Sequence, residues 1–220
     1  MFVPLNNGWL PFCVLFGLML LLTFIMNLQG KQFYTKDVVI RKFTIFDLQL
    51  AANPKEMANI IRGIYELQQS QSKKTLNALK GQLYVDFLWM PCAYGSVCLL
   101  CMRVAERMSF SLGYNVFMGL GWLQMAAWIC DILENIYLLG KIHPDAFIQN
   151  LSLHKTYLRM EAVKWGLVLT GAVFAVSAIC YFWLSGHYSF KSLPFVFIVL
   201  GEILLFLTAQ MFFVKEKIVG

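Results

Sequence analysis

Charge is what this sequence has least of: Asp, Glu, Lys and Arg make up 14% of its 220 residues, against 59% for apolar residues. Soluble domains carry roughly 25% charge, so a water-soluble fold of this length would have nowhere to bury its Phe, Leu and Met. Signatures of catalysis are lacking too. There is no paired Asp-rich prenyltransferase motif, no H-E-x-x-H, no G-x-S-x-G and no P-loop. Cysteine is missing from the expected loops: Cys13, Cys92, Cys98, Cys101, Cys130 and Cys180 all fall inside apolar runs, where Cys serves as a small apolar residue. The C-x-x-C of Cys98 and Cys101 therefore lacks the loop thiols with which a membrane thiol oxidoreductase relays electrons, and packing is its preferred reading. His143, His154 and His187 are expected in loops, the last on the opposite side, which disfavours a histidine metal centre.

What the chain has instead is five apolar runs, approximately residues 9–28, 83–102, 114–140, 162–184 and 193–214. Each suffices to span, since a hydrocarbon core of ~30 Å needs about 20 helical residues. No Lys or Arg precedes the first run and no small-residue cleavage site follows it, where Met26, Asn27, Leu28 and Gln29 stand. It is expected to be an uncleaved anchor. The expected fold class is an all-α membrane protein: a bundle of about five transmembrane helices with a small cytoplasmic strand-plus-helix segment. Residues 1–28 form the first span, 29–82 the cytoplasmic segment, and 83–220 the remaining four spans with short loops.

Basic residues orient this bundle. Segments 29–82 and 141–161 and the C-terminal tail hold fourteen Lys and Arg, while the opposite side holds three. Positive loops stay cytoplasmic, which predicts an N-terminus outside and a C-terminus inside. The net charge of +6 is accounted for by anionic lipid head groups on the cytoplasmic side and calls for no nucleic acid.

The cytoplasmic segment has its own punctuation. Residues 38–50 are rich in β-branched and aromatic residues that alternate in part, Phe43 and Ile45 against Lys42 and Thr44, which predicts a strand. Asn53-Pro54-Lys55-Glu56 is a helix start, with Asn53 as cap, Pro54 first in the helix and Glu56 placed to close a capping box. Met57, Ile60, Ile61 and Ile64 then repeat on one helical face. That face suits either the membrane surface or packing on the strand as a cap to the bundle. Residues 68–74, QQSQSKK, are expected as a polar break, with helix resuming at Thr75 and running into the second span.

The informative positions are ionisable or strongly polar residues inside the spans, which are unfavourable in lipid and face a bundle interior or a wet cavity. They are Asp86, Asp131, Glu134, Asn135, Lys164 and Glu202. With alternating span directions, Asp86, Glu134, Asn135 and Lys164 fall at similar depth toward the cytoplasm, and Asp131 about one turn deeper. Gln124, Trp128, Asp131 and Asn135 form a stripe on one helical face, bordered by Glu134. Pro91 frees the carbonyl of Phe87 beside Asp86. One Lys cannot neutralise this many acids, so the surplus is protonated, solvated or cation-bound.

Several functions fit these residues. A carrier or binding protein would take a proton, a metal ion or a cationic head group in the polar pocket. A membrane-embedded lipid-modifying enzyme would use Asp131 and Glu134 as acid/base groups or Mg²⁺ ligands, with Lys164 on a phosphate. A scaffold or partner subunit would work through 31–82, the intramembrane charges merely holding helices together. Gly171 and Ala175 form a small-xxx-small pair suited to close helix packing, and Trp9, Tyr114 and Trp183 suit interfacial belts.

Three strings taken together, FDLQLAANPKEM, YVDFLWMPCAYG and CDILENIYLL followed by Lys164-Trp165, carry a resemblance. The chain resembles a widespread group of uncharacterised bacterial multi-pass integral membrane proteins with a D-F/L-A-x-x-P segment and an L-D-x-x-E-N-x-x-L-L span. The likeness covers 40–166 in patches. It implies a bacterial cytoplasmic membrane and marks Asp47, Asp86, Asp131, Glu134 and Asn135 as the positions to test. Cys130 departs from that group's usual Leu.

Overall fold

A computed structural model describes residues 9–143, 151–188 and 192–214. Lys191, Lys215 and Lys217, which contribute to the orienting charge bias, lie outside the described residues. Five helices are long and apolar enough to cross a membrane: α1 (Trp9–Gly30), α4 (Gln69–Ala105), α5 (Ser111–Lys141), α6 (Leu151–Leu184) and α7 (Leu193–Ala209), the last continuing as a π turn, Gln210–Val214. Between α1 and α4 lie a hairpin, β1 (Tyr34–Lys36) and β2 (Ile40–Lys42), and two short helices, α2 (Ile45–Gln49) and α3 (Pro54–Tyr65). The expected all-α bundle with a small strand-plus-helix segment is therefore what the chain forms.

Helix lengths explain how the two parts join. At 1.5 Å per residue the 37 residues of α4 and the 31 of α5 are about 55 and 46 Å long, well beyond a ~30 Å hydrocarbon core. The surplus carries the hairpin and α3 at one end of the bundle. There Met57, Ile60, Ile61 and Ile64 of α3 are buried with Phe33, Phe43, Leu79, Leu83, Leu138 and Tyr157. The apolar face of α3 thus packs on the hairpin and the emerging helices, the second of its two expected placements. Full burial of such side chains stabilises by ~1.5–3 kcal/mol each. Lys55 and Arg62 lie exposed on the opposite face.

Local chemistry sets the cap's boundaries, and several differ from expectation. The strand predicted over 38–50 is two short antiparallel strands in register Tyr34↔Lys42, Thr35↔Arg41 and Lys36↔Ile40. Pairing ends at Lys42 because Thr44 and Asp47 close a capping box that starts α2: Asp47 Oδ2 accepts from the Thr44 amide at 2.6 Å, and the Asp47 amide donates to Thr44 Oγ1 at 3.3 Å. Ile45 is therefore helical. Asn53 caps α3 as expected, its Oδ1 accepting from the Glu56 amide at 2.9 Å. Glu56 reaches past the cap to the Ala52 amide, 3.0 Å away. The polar break expected at 68–74 is confined to the turn before Gln69, where α4 already begins. Its Ser72 and Thr75 are buried, Thr75 donating to the Gln32 carbonyl at 2.7 Å, so polarity there marks docking of the α1–β1 corner.

The bundle proper is an interlocked set. α4 packs against α1, α5 and α6, while α7 packs chiefly against α1. Close approach is made at small residues: a Cβ on Gly121 would meet Cys98 and Cys101 at 3.5 Å, and one on Gly171 would overlap the Gln124 amide and meet Val97 at 3.2 Å. Ala175 is fully buried and Cys101 Sγ donates to the Gly171 carbonyl at 3.7 Å, in keeping with packing as the role of the C-x-x-C. Both of its cysteines are free and buried. Elsewhere α5, α6 and α7 turn Leu, Ile, Val and Phe outward, as lipid contact requires.

Gly63 is the tightest point of the cap, since a Cβ there would collide with the Lys36 carbonyl and the Thr35 hydroxyl. Gly63→Leu is expected to lower the detergent-state unfolding midpoint by the equivalent of about 1–3 kcal/mol. Asn59→Ala, on the exposed face of α3, should stay within about 0.5 kcal/mol.

Candidate functional site

Helical periodicity assembles a polar centre where α4, α5 and α6 meet. On α6, His154, Tyr157, Glu161 and Lys164 recur at i, i+3, i+7 and i+10, and all four are buried. On α5, Gln124, Asp131, Glu134 and Asn135 occupy the buried face. α4 contributes Tyr94, buried, and Asp86, half-buried.

Lys164 is the hub, only 3% exposed. Its Nζ donates to Asp131 Oδ1 at 2.9 Å and to Glu134 Oε2. Glu161 Oε2 lies 2.9 Å from the same nitrogen, off the line of a hydrogen bond. The second oxygen of Asp131 accepts from Tyr94 Oη at 2.8 Å, and Glu161 Oε1 accepts from Trp165 Nε1 at 2.7 Å. Asn135 Nδ2 ties α5 to α4, donating to Asp86 Oδ2 at 2.8 Å and to the Leu83 carbonyl at 3.3 Å. Three buried carboxyl groups thus surround one ammonium, with a fourth carboxyl one side chain away.

Five of the six sequence-derived candidates, Asp86, Asp131, Glu134, Asn135 and Lys164, come together here. Glu202 does not. It sits in the α1–α7 interface, with Oε1 2.6 Å from where a Cβ on Gly17 would stand. Trp128 is half-buried beside Met90 and Tyr94 rather than on the polar centre. Asp47 belongs to the α2 cap described above.

Sequence reasoning missed Glu161, Tyr94, Tyr157 and His154. The signal for Glu161 was its i, i+3 spacing to Lys164 on one helix face. His154 was expected in a loop, and the structure corrects this: α6 begins before it, and the ring is buried with Nε2 2.9 Å from the Ala51 carbonyl. It stacks on Tyr157, centroids 5.9 Å apart. The metal reading gains nothing from this, for among the described residues no group of three or more His, Cys, Asp or Glu side chains is arranged to hold a metal ion.

Comparison with protein-family models, with curated proteins and with solved structures gives no match.

Removing the ammonium alone would leave buried carboxyls without a cation, an arrangement that destabilises by about 3–5 kcal/mol. Lys164→Met is expected to abolish recovery of monodisperse protein in detergent. Adding Asp131→Asn, Glu134→Gln and Glu161→Gln to that variant should restore recovery, because the ammonium and its three carboxyls are then removed together.

Proposed function

We propose that this is an integral membrane protein that binds and releases protons at a buried carboxyl centre formed by Asp131, Glu134 and Glu161 around Lys164. The observation that carries the reading is charge balance. One ammonium against three carboxyls leaves two formal negative charges, and an uncompensated ion in such surroundings costs several kcal/mol. Protons supply the compensation in the smallest volume. Glu134 Oε1 supports this, buried and without a hydrogen-bond partner, since a protonated carboxyl brings the donor that such an oxygen lacks. A membrane-buried group that holds a proton and touches a cation on a neighbouring helix can couple proton occupancy to helix position.

Orientation and location belong to the same proposal. The excess of Lys and Arg at the hairpin end supports a cytoplasmic placement of that end, and the resemblance of the L-D-x-x-E-N span supports a bacterial inner membrane. The hairpin end would then face anionic lipid.

A second reading, that the charges are interhelical glue, is favoured by the direct contact of Lys164 with all three carboxyls. Infrared spectroscopy of the protein in lipid nanodiscs at about pH 7 separates the two. Ordinary Asp and Glu, which titrate near 4, are fully ionised there. A protonated-carboxyl band that loses about half its intensity in Glu134→Gln is the expected result. No such band in the wild type would leave only ion pairs, and with them the glue.

A further inference from the structure

The carboxyl centre is closed on one side and polar on the other. Toward the end of the bundle away from the hairpin stand Ala127, Cys101, Val104 and Ala175, all fully buried, and beyond Ala127 Gln124, whose Nε2 is tied to the Leu120 and Leu167 carbonyls at 3.2 Å and whose Oε1 is buried without a partner. Toward the hairpin, by contrast, buried polar atoms without partners follow one another. Tyr157 stands one helical turn before Glu161 on the buried face of α6, and the rings of Tyr137 and Tyr157 lie 4.8 Å apart. Glu134 Oε1, Tyr157 Oη, Tyr137 Oη and His154 Nδ1 are all buried and lack a hydrogen-bond partner, and Glu161 Oε2 beside them is ion-paired with the Lys164 ammonium at 2.9 Å. Tyr137 then meets the Lys141 ammonium, 5.4 Å above its ring at the end of α5.

Isolated orphan polar atoms are uncommon in folded proteins, and a run of them on adjoining side chains is the setting in which buried water binds, typically through about three hydrogen bonds. Each hydroxyl can donate and accept in turn.

Resting on the proton-binding reading above, we infer that Glu134, Glu161, Tyr157 and Tyr137 enclose a buried-water site through which the carboxyl centre exchanges protons with the hairpin end of the bundle and not with the opposite end. A proton leaving Glu134 passes along bridging water to Tyr157 Oη as that hydroxyl releases its own proton to Tyr137 Oη, whose proton in turn goes to solvent water at the Lys141 rim. No bond other than O–H forms or breaks, and the return step restores both hydroxyls. His154 is a positioning residue here, holding the Tyr157 ring by stacking and the cap by its contact with Ala51.

The test is the rate at which the protonated-carboxyl band shifts after the nanodisc-embedded protein is transferred to D₂O. Tyr157→Phe is expected to slow that shift by about tenfold with the band's amplitude unchanged. Tyr137→Phe should slow it in the same direction, and it serves should Tyr157→Phe not fold, since each change removes one oxygen and keeps the ring. Gln124→Leu, on the closed side, should exchange at the wild-type rate. Wild-type exchange in both Tyr variants, or slowing in Gln124→Leu as large as theirs, overturns the route while leaving the proton site standing. Absence of the band in the wild type overturns both.

Discussion

The Lys164 ammonium is the point on which the bundle turns. Apolar side chains gain little by leaving lipid for protein, so helices in a membrane are held by close packing and by interhelical polar contacts. Lys164 makes such contacts to two residues of α5 and one of its own helix. Asp131 passes the connection on to Tyr94 of α4, and Asn135 makes a second link to α4 through Asp86 and the Leu83 carbonyl. Three helices are thereby fixed in rotation and depth by one charge and its acceptors. Gly121, Gly171 and Ala175 allow the same helices to approach where polarity ends.

The rest of the molecule is arranged around that junction. α4 and α5 continue beyond the hydrocarbon thickness, and their surplus turns form a platform for the hairpin, α2 and α3. The apolar core of this cap includes Leu138 of α5 and Tyr157 of α6, the latter one helical turn before Glu161 on the same buried face. Cap and centre therefore share a side chain: a shift of α3 against α6 would be felt at Glu134, and a change in protonation there would be felt in the cap. α1 and α7 stand apart from this coupling. They hold the half-buried Glu202 between them, and Lys31 at the end of α1 donates to the Phe213 carbonyl in the π turn beyond α7.

Much of this was legible in the residues. The five spans show as apolar runs because lipid imposes length and composition directly, and the α3 start at Asn53-Pro54 is a purely local matter of exposed amides and a fixed φ. Legibility failed where local and distant demands compete. Phe43 and Ile45 read as alternating strand residues, yet the Thr44–Asp47 capping box turns the chain into a helix between them. Ser72 reads as part of a polar break, yet it is buried in α4 beside Thr75, which docks the α1–β1 corner through the Gln32 carbonyl. His154 looked like a loop histidine because α6 extends well beyond its apolar window. Glu161 lay in view but was overlooked beside Lys164, though its spacing places both on one face.

What the sequence by itself determined is the solvent, the number of spans, the chemistry of most of the buried centre and one amphipathic face in the cap, because each follows from periodicity or composition within a single segment. The tertiary structure decided which carboxyls share the one ammonium, that Glu202 stands outside the group, and which end of the centre is polar. These depend on helix rotation and on contacts between residues far apart in the chain, such as Tyr94 with Asp131, which no local pattern encodes.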